Sequence, residues 1–158
     1  MPYTPTPAEI VAALSDVAYE VEQILGLLKS PPKTNLVTKN ARLESLLLHT
    51  RVVLDFFEHL RREQDDVLAT DYGFPAETVP VDHKLRERLN KDLVHLTYSR
   101  QQRTGAAKNW DLTRLLIPLL KRSAKFAEHV VRTRLDSLSP DQRQRWQGLA
   151  TSLKWYTA

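Results

Sequence analysis

The amino-acid sequence predicts an all-α chain: an up-and-down antiparallel four-helix bundle plus a shorter C-terminal fifth helix. Three observations predict it. Glycine is scarce, with four in 158 residues, while Leu, Arg, Lys, Gln and Glu, all good helix formers, are plentiful. Apolar residues recur at spacings of three and four over long stretches, which is the period of one helix face. Two segments, Thr6-Pro7-Ala8-Glu9 and Ser139-Pro140-Asp141-Gln142, carry the same start signal. Each is a capping box with proline at the first helical position, where its missing N–H costs nothing.

The first helix starts at that Thr6 box. Ile10, Leu14, Val17, Val21, Ile24 and Leu28 make one apolar stripe to about residue 29, and Ser30-Pro31-Pro32 ends it. A second helix is expected over 38–63. Leu43, Leu46, Leu47, Val53, Leu54, Phe57 and Leu60 form its main stripe, with Leu48, Val52 and Phe56 on the other side. A helix apolar on two sides is expected to be central. Residues 64–80 read as a long connection holding Asp65, Asp66, Asp71, Gly73 and Pro75, in which Asp65 to Thr70 could form one more helical turn. The third helix is expected over Asp82–Arg103, buried through Leu85, Leu89, Leu93 and Leu96 and closed by Thr104-Gly105. The fourth spans 111–136 with Asp111 as its cap. Pro118 lies inside it, so the expectation is a kink there or a helix that starts near residue 117. The fifth follows Ser139, with Trp146, Leu149, Leu153 and Trp155 or Tyr156 on its apolar side. Short turns between long helices imply antiparallel neighbours.

Length and composition place all of 1–158 in a single helical-bundle domain. Hydrophobic residues are 42 % and charged residues 27 %, an ordinary globular balance that argues against disorder. The chain has no cysteine, which excludes disulfides, thiolate chemistry and sulfur-ligated zinc. No stretch approaches the apolar length of a membrane span. The opening MPYTPTPAEI has neither the basic nor the apolar region of a secretory leader, so a cytoplasmic protein without membrane contact is expected. Net charge is divided. Residues 1–80 hold 7 Lys and Arg against 12 Asp and Glu, and residues 81–158 hold 16 against 7. The basic half can meet phosphate, or it can meet the acidic half within one molecule or across a dimer.

Several chemistries lack their motifs. Neither Glu-x-x-His nor His-Glu-x-x-His occurs, so no di-iron or zinc site is expected. The spacing of Asp65, Asp66 and Asp71 is not that of a calcium loop. Phosphate loops, dinucleotide fingerprints and a nucleophile elbow are absent too. No metal or cofactor is expected.

The polar cluster that remains is on the third helix. Arg88 and His95 are seven residues apart, hence within about 20° of one another on the same face. Asp92 lies between them, and the column borders the leucine stripe. An arginine can hold a phosphate while a histidine moves a proton. The plainer reading is an i,i+4 ion pair of Arg88 with Asp92. On the second helix Glu44, Arg51 and Asp55 share a face, either as a salt-bridge network or as a support that orients His95. His49 is expected to be a satisfied core histidine. Basic residues near aromatics, at Tyr98, Arg100 and Arg103 and at Lys108 beside Trp110, then at Lys121 and Arg122, make a candidate nucleic-acid surface or a solvated face.

The segment Arg88-Leu89-Asn90-Lys91-Asp92-Leu93-Val94-His95 on the third helix of a small bundle resembles the motif of HEPN domains. The stretch from Leu43 to Arg51, followed by Asp55-Phe56-Phe57, is similar to the second helix of uncharacterised bacterial bundles of that type. The resemblance covers roughly residues 38–100. It implies a homodimer whose Arg/His pairs face one another, and metal-independent ribonuclease activity of the kind used in toxin–antitoxin or anti-phage systems. It gives Arg88 the phosphate contact and His95 the proton transfer. Active members commonly place a polar residue directly after the arginine; here that position is Leu89, a departure from the pattern, and Asn90, a supporting candidate, comes one later. The function expected is RNA binding by a dimeric bundle, with cleavage through Arg88 and His95 as the enzymatic version. The alternatives are a non-catalytic module that docks an acidic protein partner or antitoxin, and a small-molecule sensor with its ligand between helices two to four.

Overall fold

The computed structural model describes residues 3–30, 35–59, 65–93 and 109–156. Among these residues it is all-helical, with five α-helices and no strand. They are α1 (Pro7–Lys29), α2 (Leu36–Glu58), α3 (His83–Asp92), α4 (Leu112–Thr133) and α5 (Pro140–Leu153).

Each start signal acts as the sequence predicts. Thr6 caps α1 and Glu9 closes the box onto the Thr6 N–H at 2.8 Å. The N–H and hydroxyl of Thr6, with the Tyr3 hydroxyl, hold the Glu9 carboxyl below its ordinary pKa. Ser139 and Gln142 repeat the device on α5. Asp111 caps α4 by accepting the Arg114 N–H at 3.1 Å. The alternative start near residue 117 is thereby corrected: α4 begins at Leu112 and runs through Pro118. Proline at that position cannot donate to the Arg114 carbonyl. Arg114 is exposed, so water can satisfy the carbonyl, and the helix tolerates the loss.

Other boundaries shift. α2 ends at Glu58, not at residue 63, because His59 is extended. α4 ends at Thr133, and Leu135–Ser137 form a 3-10 turn. α3 is described to Asp92, and the rest of the expected third helix lies outside the described residues. α2 packs against α1, α3, α4 and the connection, but of its second apolar side Phe56 alone is buried. Leu48 and Val52 are exposed, while Leu46, Leu47, Val53, Leu54, Phe56 and Phe57 are buried, so α2 buries one broad face.

The 65–82 connection contributes core rather than covering it. Its 3-10 turn is Ala69–Tyr72, which shares only Ala69 and Thr70 with the turn expected at Asp65 to Thr70. Gly73 closes it at φ 71, a left-handed conformation that favours glycine. Leu68, Ala69, Tyr72, Phe74, Val79 and Val81 are all buried. Polar ties hold this segment where few ladder bonds exist. Glu58 accepts the Val79 N–H at 2.7 Å and pairs with Arg86, which donates to the Val79 carbonyl at 2.8 Å. The Tyr72 hydroxyl donates to the Ile10 carbonyl of α1 at 3.0 Å. His129 Nε2 lies 2.9 Å from the Tyr72 carbonyl, which requires that nitrogen to carry the proton.

Phe126 of α4 is the centre of the aromatic core. Its ring meets Phe56 at 5.0 Å, Phe74 at 5.2 Å, Tyr72 and Trp146 at 5.6 Å and Phe57 at 5.8 Å, all near edge-to-face. α2, the connection and α5 therefore converge on one side chain. α5 also docks on α1, where Arg145 holds Glu22 through two bonds of 2.8 and 2.6 Å. Phe126→Ala is expected to cost about 4 kcal/mol in denaturant unfolding, the range for truncating a buried aromatic. A cost below about 1 kcal/mol would show that the cluster is not the anchor of the fold.

Candidate functional site

α3 is positioned by Asp82, whose carboxylate accepts the N–H groups of Lys84 and Leu85 at 3.0 and 3.3 Å. Leu89 is buried and fixes the helix rotation. Arg88 and Asp92 then lie at the rim of the core, with side chains 13 % and 8 % exposed. Arg88 Nε is 3.3 Å from Asp92 Oδ2. Its Nη1 donates to the Asn109 carbonyl at 2.6 Å, and its guanidinium lies 4.1 Å over the Trp110 ring. Arg88 thus joins α3 to the segment that leads into α4. A substrate phosphate would have to displace these partners. His95, its expected catalytic companion, lies outside the described residues, as do Tyr98, Arg100, Arg103 and Lys108.

The supporting residues are dispersed. Asn90 is exposed, two positions and therefore about 200° round the helix from Arg88. Glu44 is exposed. Arg51 Nε is 3.8 Å from Asp55 Oδ2, a loose pair. Asp55 opens onto a groove between α1, α2 and the start of the connection. The contact of α2 with α3 is carried instead by Glu58 and Arg86. His49 is held by Glu20 of α1, Nδ1 to Oε2 2.7 Å, and is mostly buried.

The basic residues of the second half divide into two kinds. Arg86, Arg122 and Arg145 pair with Glu58, Glu77 and Glu22 of the acidic half. Arg122 also donates to the Pro75 carbonyl and covers the Phe74 ring at 4.3 Å, with its own side chain only 10 % exposed. It fastens the connection to α4 and presents little surface to a ligand. Lys121, Lys125 and Arg132 are different. All three are exposed, and among the described residues none makes an ion pair or hydrogen bond. With Arg114, which is 3.7 Å from Asp82, they fall within about 40° of one another on α4 and span roughly 27 Å. Glu128 interrupts this ridge once.

Near the far end of the ridge, Arg132 and Lys154 line a shallow depression between α4 and α5. The next residue, Trp155, is 87 % exposed. The apolar spacing of the last helix predicts Trp155 or Tyr156 on its buried side. Tyr156 takes that place and packs against the core, and Trp155 does not. A bare tryptophan beside basic residues is a sequence signal only once the helix phase is known. Among the described residues no three His, Asp or Glu side chains are grouped to hold a metal ion, and no helix is long and apolar enough to cross a membrane. Comparison with protein-family models, with curated proteins and with solved structures finds no match to this chain.

Two predictions follow from the carboxylates. Arg88→Ala removes a cation that pairs with the buried Asp92 and should cost about 3 kcal/mol at neutral pH. Arg88→Lys should recover little of it, because an ammonium cannot both stack on Trp110 and reach Asn109. Equal stability of wild type and Arg88→Ala in urea would rule out the tie. For Asp55, burial pushes the carboxyl above the ordinary range, against the pull of His59 and Arg51 and with Glu58 adding to the rise. The folded chain therefore binds this proton more tightly than the unfolded chain. The stabilising contribution is present below the ordinary carboxylate pKa and is lost as pH rises through the raised value. Asp55→Asn should match or exceed wild type in Tm at neutral pH, and the difference should vanish in acid. A lower Tm for the variant at neutral pH would contradict this.

Proposed function

We propose that this chain binds single-stranded RNA along the α4 ridge, without cleaving it through Arg88. The observation that carries the reading is the ridge itself: Lys121, Lys125 and Arg132 aligned on one exposed face, with no side-chain partner among the described residues, together with the 87 % exposed Trp155, which follows Lys154 in the chain. Unpaired cations along a helix can replace the counterions of a phosphate backbone. An exposed aromatic side chain gives a base a surface to stack on, at roughly 1–3 kcal/mol per base, with little sequence preference. Basic charge alone would equally serve an acidic protein or antitoxin. Trp155 favours the nucleic acid, because a carboxylate surface has no use for a stacking platform.

In this reading the HEPN-like resemblance describes a scaffold, an up-and-down four-helix bundle acting as a homodimer, in which the arginine of the motif has become a structural tie. The packing of α1 on α2 and α5, and of α4 on α5 and α2, supports such a bundle. The engagement of Arg88 by Asp92, Asn109 and Trp110 supports binding over catalysis.

Fluorescence anisotropy with a labelled oligouridylate tests the binding. Replacing Lys121, Lys125 and Arg132 together by Ala should reduce the slope of log affinity against log salt by about 2, at roughly 0.7 per lost phosphate contact on a single strand. Trp155→Ala should weaken binding about tenfold, and Trp155→Phe should largely retain it. Unchanged affinity and slope in the triple variant would reject the ridge. Polyglutamate competing as well as RNA, with no effect of Trp155→Ala, would assign the ridge to an acidic protein. In EDTA the RNA should remain intact with wild type and with His95→Ala alike. Cleavage by wild type that His95→Ala abolishes would restore the catalytic reading.

A further inference from the structure

Away from the ridge, α1, α2 and the start of the connection enclose a groove of about 350 Å³, within the size range of small-molecule sites. Its floor is apolar, made by Val17, Val53 and Phe56, all buried. Its lips include Val52 and Val67, which are exposed although apolar. Its rim carries Asp16, Asp55 and Asp66. Glu20 also lines it but is engaged by His49 at 2.7 Å. Among the described residues the basic side chain lining it is His59, whose Nε2 is 3.8 Å from Asp55.

Asp55 decides the chemistry. Its carboxylate accepts no hydrogen bond among the described residues, and its two nearest cations, Arg51 and His59, both stand at 3.8 Å. Half-exposed and only loosely paired, its oxygens remain open to a donor that approaches along the groove. A ligand ammonium that entered the groove would supply the missing donor. A metal ion is a poorer fit, because the carboxylates do not converge on one point.

We infer that this groove binds a small organic cation, a protonated amine carried on an apolar arm, with the arm on Val17, Val53 and Phe56 and the ammonium on Asp55. The chemistry combines two requirements. The floor and valine lips reward an apolar body, and the acidic rim rejects an anion and favours a cation. The groove is formed by different elements from the α4 ridge, so this inference stands independently of RNA binding.

Isothermal titration of the full chain with 4-phenylbutylamine tests it, with 4-phenylbutanol as the neutral counterpart and spermidine as charge without an aromatic arm. The amine should bind at least tenfold more tightly than either. Asp55→Asn should lose at least tenfold in amine affinity while keeping its helical circular dichroism and Tm. Asp136→Asn, on the turn after α4, should behave as wild type, as should the triple ridge variant. Amide chemical-shift changes on adding the amine should centre on residues 13–20, 52–59 and 66–68. Equal binding of amine and alcohol would leave an apolar cleft with no cation preference and overturn the proposal. So would undiminished binding by Asp55→Asn, or shifts centred elsewhere.

Discussion

The packing of three separate chain segments against the ring of Phe126 is the constraint on which the rest of this structure depends. Phe56 and Phe57 come from α2, Tyr72 and Phe74 from the connection, and Trp146 from α5. Only α2 and α5 could hold their shape by their own backbone hydrogen bonds. The connection has a single 3-10 turn, so the burial of Tyr72 and Phe74 is what gives it a place. Once it is there, its polar groups have defined partners. Glu58 and Arg86 take one end, and Arg122 with His129 takes the other. Apolar burial decides the position, and the ion pairs then make that position specific.

The same ties account for much of the charge division in the chain. Glu22, Glu58 and Glu77 of the acidic half meet Arg145, Arg86 and Arg122 of the basic half. Arginine serves in each pair, and its planar fork also reaches a backbone carbonyl in each: Ser15, Val79 and Pro75. The pairs therefore do more than neutralise charge. They also bond carbonyls of α1 and of the connection. What is left over is the lysine-rich face of α4, where three cations have no such duty. The proposed RNA face is this remainder.

Arg88 belongs with the scaffold by the same criterion. Its geometry is that of a residue that organises a corner: an aspartate on its own helix, a carbonyl and an indole on the segment entering the next. Asp55 is its opposite. It is half-buried with loose partners, it sits on an apolar groove, and its charge costs stability at neutral pH. Carboxylates held at a cost are found where a ligand repays it, which is why stability and binding are expected to move in opposite directions at this position.

The helices were legible in the sequence because they are local. Capping boxes at Thr6 and Ser139, the cap at Asp111 and the three-four spacing of leucines act within a few residues of chain, and no tertiary partner is needed to read them. The Arg88–Asp92 pair was legible for the same reason, being one turn of helix apart. Four features were not. The connection looked like a loop, because Leu68, Tyr72, Phe74 and Val79 have no period. α2 looked apolar on two sides, and only its neighbours decide that Leu48 and Val52 face outward. Arg122 and Lys121 are adjacent and alike in sequence, yet one is locked to Glu77 and Pro75 while the other is open. Trp155 and Tyr156 exchange places by one residue of helix phase. The sequence by itself thus determined which segments are helical and which faces can be buried. The tertiary structure alone decided which charged and aromatic side chains are used up inside the fold, because pairing and burial depend on groups that are distant in the chain and close only once it has folded.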